Sequence, residues 1–98
     1  MAKAELLYPD GYAGNEEYST MKGWLSVDVR LPSGAIVPIM FYDPARFAND
    51  VVNALAAGNS CFAEAGVVII ESVTPANMER ALKTLIKDNF FAALTPSS

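Results

Sequence analysis

The chain contains no histidine. That removes Ser-His-Asp and Cys-His nucleophilic catalysis, histidine-containing zinc sites and the commonest acid–base group of neutral pH. It has a single cysteine, Cys61, so no internal disulfide can form and nothing calls for an oxidising compartment. Uninterrupted apolar runs such as Val67 to Ile70 are far too short to cross a bilayer, and the opening MAKAELLYPDG lacks an apolar stretch of signal-peptide length. The expectation is a reduced, cytoplasmic protein with no membrane partner. No glycine-rich phosphate loop occurs, and PDGYAGNEE lacks the aspartate spacing of a calcium loop. No cofactor or metal is expected.

Positive charge is also sparse. Seven Lys and Arg residues stand against eleven Asp and Glu, for a formal net charge of −4. A nucleic-acid backbone rewards clustered cations. Here only Arg80, Lys83 and Lys87 share one region, with Glu79 and Asp88 among them. Nucleic acid is therefore excluded as a partner. Charged residues make up 18% of the chain and apolar ones 52%, against a usual charged fraction of about a quarter. The apolar surplus must enter an unusually large core or form a surface that meets a partner.

What is present reads as one small domain of the α+β class. Residues 1–21 are rich in Pro, Asp, Gly, Asn and Ser and read as a flexible N-terminal arm, although Ala4 to Tyr8 could add an edge strand. WLSVDVRL, Trp24 to Leu31, alternates with period two: Leu25, Val27, Val29 and Leu31 on one side, Trp24, Ser26, Asp28 and Arg30 on the other. LPSGA then offers Pro32 for the first central position of a type I turn and Gly34 for a positive φ, so AIVPIMFY returns as a hairpin. Pro38 cannot donate a ladder hydrogen bond, which predicts an edge strand or a bulge there. Asp43-Pro44 reads as an N-cap and first helical residue, Phe47, Val51 and Leu55 as a helical stripe, and Gly58 as the stop. VVIIESV reads as a strand covered on both faces. Thr74-Pro75 repeats the capping device before a helix that turns Met78, Leu82, Leu85, Ile86 and Phe90 inward.

The expected fold is therefore a two-layer ββαβα sandwich over residues 22–94. Three mainly antiparallel strands lie in the spatial order 2-1-3, with two helices on one face. Residues 95–98 are expected to be a disordered tail.

Several short stretches look like chemistry. Ser19-x-x-Lys22 matches the serine–lysine motif of penicillin-binding enzymes, but Gly23 and a strand follow at once and no companion motif exists. Cys61 has Ser60, Phe62 and Glu64 beside it and no base, so it reads as a structural cysteine. Asp28, Asp43, Glu64 and Glu71 leave carboxylate chemistry formally open, yet none is spaced as a dyad. No catalytic, cofactor-binding or metal-binding residue is assigned.

VPIMFYDPARFANDVVNALAAGNSCFAEAGVVIIESVT covers much of the last two-thirds of the chain. It resembles a recurring pattern in small uncharacterised bacterial proteins, in which FYDPxR leads a helix, G…FAExG leads an apolar strand and Thr opens the last helix. The resemblance implies a compact α+β domain and no particular chemistry.

The function expected is a non-enzymatic interaction or structural module that self-associates as a homodimer or meets a protein partner. The outer sheet face is expected to supply the interface through Trp24, Val37, Ile39 and Phe41, with Ile36, Met40 and Tyr42 as the alternative outer set of the second strand. The alternatives are a small-ligand-binding or regulatory subunit using the 59–66 loop, or a small enzyme using Cys61 or a carboxylate. In either alternative the loop residues would be Cys61, Phe62 and Glu64.

Overall fold

The computed structural model describes residues 3–93. Its elements run β1 (Glu5–Leu7), α1 (Glu16–Lys22), β2 (Trp24–Arg30), β3 (Ile36–Tyr42), α2 (Pro44–Ala56), β4 (Val67–Ile69) and α3 (Pro75–Lys87), with a closing 3₁₀ turn at Phe90–Ala93. The α+β class holds, but the sheet has four strands in the order β1-β2-β3-β4. The first three pair antiparallel and β4 joins β3 in parallel, making the sheet mixed. The expected tail at 95–98 lies outside the described residues.

The hairpin forms as its turn residues dictate. Gly34 takes φ +94°, its N–H bonds Leu31 C=O at 2.8 Å, and Leu31 N–H bonds Ala35 C=O at 2.8 Å. The loop therefore holds three residues, and the strands it joins pair odd with odd: Leu25 with Phe41, Val27 with Ile39, Val29 with Val37. Directly opposed residues share a face. Leu6 enters the same face opposite Val29. This face is the core, packed with Tyr12, Val73, Met78, Leu82 and Phe91.

Two expectations about the sheet fail here, each for a physical reason. The third expected strand does not lie beside Trp24–Arg30, because β1 already occupies that edge. Pro38 is consequently not in an edge strand, yet it breaks no hydrogen bond. Met40 N–H bonds Gly66 C=O at 2.9 Å and Ile70 N–H bonds Tyr42 C=O at 2.8 Å, so the even residues of β3 address β4. By alternation the Pro38 nitrogen faces the same way, but β4 begins only opposite Met40. Gly66 passes so close that a Cβ there would meet Pro38 O at 2.8 Å.

Both long helices begin as read. Asp43 Oδ1 accepts from Arg46 N–H at 2.7 Å and Thr74 Oγ1 from Asn77 N–H at 3.2 Å, each followed by proline. Helix α2 ends with Gly58 N–H on Leu55 C=O and Asn59 N–H on Ala54 C=O, Gly58 adopting φ +96°. The helices do not share one face, however. Helix α3 buries Met78 and Leu82 in the core, whereas no α2 residue is buried or belongs to the core cluster. Its sheet contact is the edge-to-face pair of Phe47 with Tyr42, and Tyr42 points oppositely to Phe41.

Residues 3–21, read as part of a flexible arm with a possible edge strand, supply β1, all of α1 but Lys22, and two core side chains, Leu6 and Tyr12. Thr20 Oγ1 ties α1 to Val73 C=O at 2.6 Å, and Gly23 ends the helix in the left-handed region at φ +83°.

Candidate functional site

The sheet face opposite the core carries Leu7, Trp24, Ser26, Asp28, Arg30, Ile36, Pro38, Met40, Tyr42, Val67 and Ile69, by strand alternation from the observed register. Only its Tyr42 end is capped. Tyr42 is buried, its ring meets Phe47 at 5.6 Å, and Phe47 meets Phe62 at 5.5 Å. This aromatic file fastens α2 and the 59–66 loop to the sheet. The Tyr42 hydroxyl donates a long 3.4 Å bond to Glu64 Oε2. Its pKa is raised above the usual tyrosine value, first by burial and then by the nearby Glu64 and Asp50 charges, with Arg46 opposing.

The rest of the face is open. Ile36 is 48% exposed and Ile69 47%. Trp24 is half-buried, with Lys22 Nζ 4.1 Å from its ring centroid and 5.1 Å from that of Tyr18. Such a cation–π contact covers part of the indole and leaves its remaining surface available. Helix α2 extends the apolar ground. Its stripe of Phe47, Val51 and Leu55 is only partly covered, and Val52 and Leu55 are 62% and 49% exposed. Its other flank is polar and fixed: Arg46 Nε pairs with Asp50 Oδ1 at 2.9 Å and Arg46 Nη1 donates to Lys22 C=O at 3.3 Å.

Of the interface residues expected from sequence, Trp24 lies on the outer face. Val37, Ile39 and Phe41 do not: they are core residues with 6%, 2% and 0% exposure. The three-residue hairpin loop decides this, because it pairs odd positions with odd and so sends Trp24's face to Ile36, Pro38, Met40 and Tyr42. The signal was in LPSGA itself, since loop length fixes register and register fixes the face. The exposed Ile69 also went unforeseen, because VVIIESV forms only a three-residue edge strand rather than one covered on both faces.

The loop residues Cys61, Phe62 and Glu64 are not brought together as a catalytic group. Cys61 is not the buried or half-buried structural cysteine expected but an exposed free thiol, and among the described residues nothing bonds to it. Phe62 packs on Phe47, and Glu64 accepts from Tyr42. Among the described residues no three His, Cys, Asp or Glu side chains gather as a metal site would require, and no helix is long and apolar enough to cross a membrane. Surface hollows lie away from this loop. One sits between the hairpin turn and α3, lined by Leu31, Pro32, Leu85, Ile86 and Phe91; another is beside α1 at Tyr18, Met21 and Lys22. Comparison of the chain with protein-family models, curated proteins and solved structures finds no match.

Proposed function

We propose that this chain is a non-enzymatic interaction module that self-associates on the side of the molecule where the apolar flank of α2 and the sheet beside it are uncovered. The observation that carries the reading is α2 itself, an amphipathic helix of 13 residues with none of them buried. An apolar helix stripe in a soluble fold normally packs inward, and this one stops short of doing so. The open face beside it makes the uncovered ground continuous.

Magnitudes limit how the association can work. Fully burying a large aliphatic side chain stabilises by roughly 1.5–3 kcal/mol, and Val52, Leu55 and Ile69 are about half-exposed, so each offers on the order of 1 kcal/mol. Association costs at least about 4 kcal/mol in lost freedom. These three side chains alone therefore fall short, and backbone groups must contribute as well.

Small-angle scattering between high and low micromolar concentration provides the test. The apparent mass is expected to fall on dilution from that of two chains toward that of one. A mass that stays at that of one chain over that range counts against the proposal.

A further inference from the structure

We infer that the partner of this surface is a second copy of the chain, joined edge to edge through β4 rather than face to face. The inference rests on the self-association proposed above and specifies its geometry.

In the parallel pairing of β3 with β4, Gly66, Val68 and Ile70 direct their backbone groups at β3, as the bonds Met40 N–H to Gly66 C=O and Ile70 N–H to Tyr42 C=O establish. The N–H and C=O groups of Val67 and Ile69 therefore point away from the sheet, and among the described residues nothing pairs with them. An open strand edge is a template for another strand. Folded proteins usually guard such edges with charges, proline or a covering element. The β1 edge is guarded: Glu5 pairs with Arg30, Tyr8 bonds Glu79 of α3, and Lys3 and Lys83 line the hollow alongside. The β4 edge is Val-Val-Ile, with no charge and no proline.

A second copy satisfies this edge by symmetry. With the two β4 strands antiparallel and Val68 opposite Val68 of the second copy, Val67 of each lies opposite Ile69 of the other. Each such pair exchanges two hydrogen bonds, as hydrogen-bonded antiparallel pairs do. The two-fold axis thus uses every outward group of both strands, and the two sheets become one. No foreign strand is needed, and no charged side chain of β4 opposes its counterpart.

The helix points to the same side. Arg46 reaches Lys22 C=O, next to the start of β2. Leu55 comes nine residues later, which at 3.6 residues per turn places it on the opposite flank. Leu55 and its neighbour Val52 therefore face away from β2, toward the side where β4 is open. Pairing at β4 brings these exposed side chains of both copies to the seam, where Ile69 already lies.

Hydrogen exchange of the wild-type chain tests the geometry without any substitution. The Val67 and Ile69 amides are expected to exchange slowly at concentrations where the chain associates and to speed up on dilution. Association with both amides exchanging freely overturns the inference while leaving self-association intact. Ile69→Pro removes one outward donor per copy and leaves the β3 ladder alone. With circular dichroism unchanged, it is expected to weaken association on the order of a hundredfold, and Val52→Lys is expected to weaken it too. Ile36→Lys, at the far end of the outer face, is expected to leave it unchanged. Dissociation by Ile36→Lys with Ile69→Pro still paired would establish face-to-face packing instead. A wild-type chain that stays monomeric overturns both this inference and the reading beneath it.

Discussion

Asp43 and Thr74 serve as helix caps, each accepting from the backbone N–H three residues on. Replacing either with alanine is expected to cost on the order of 1 kcal/mol, lowering the melting temperature by about 4–8 °C for a domain this size. Calorimetry checks it, and an unchanged melt for both variants contradicts the assignment. These caps were legible because an Asp-Pro or Thr-Pro before a periodic apolar stretch has a local cause. Gly23 was not legible in the same way. A Cβ there would lie 2.8 Å from Asp43 Oδ2 and from Arg46 Cβ, a contact between distant segments that no local pattern announces. Tyr8 supplies a second prediction at this scale. Burial first, then its hydrogen bond to Glu79 and that carboxylate's charge, raise its pKa well above the ordinary tyrosine range. The unfolded chain then loses this proton first, so the stabilisation is complete below about pH 10 and is lost as pH rises beyond it. Denaturant melts across alkaline pH should show this decline, and Tyr8→Phe should flatten it; an equally steep decline in the variant contradicts the role given to Tyr8.

Strand β1 lies at the limit of element-level reasoning. Ala4 to Tyr8 reads as a possible edge strand, but Glu-Leu-Leu is too short to display a period and the turn-forming residues after it suggested a flexible arm. Pairing of Leu6 opposite Val29 nonetheless buries Leu6 to 8% exposure. Leu6→Ala is expected to cost about 2–5 kcal/mol, as core leucines do, and limited proteolysis should find residues 5–8 as protected as β2. Rapid cleavage there, with a cost below about 0.5 kcal/mol as at ordinary surface sites, would restore the arm. The same short strand explains the misread sheet order: once β1 takes the free edge of β2, β4 must join β3. Class, hairpin, both long helices and their caps were legible because each has a local signal. Strand order and the side taken by α2 depend on competition among distant segments for the same edge or face. The facing of Val37, Ile39 and Phe41 is different, because the three-residue loop implied it.

For the molecule as a whole, the chain's apolar surplus is divided between a one-sided core and an uncovered second side. The core takes Val27, Val29, Phe41, Val73 and Met78 essentially out of water, while Ile36, Val52, Leu55 and Ile69 remain about half-exposed. Composition alone indicated that such a surface should exist; its position followed only from register and from where α2 packs. The central claim is that the chain associates with a second copy on this side. Sedimentation equilibrium at micromolar concentration tests it most directly. The account predicts a species of about 21 kDa, a two-fold dimer, which dissociates on dilution. A single species at the 10.5 kDa of one chain at every concentration would contradict it.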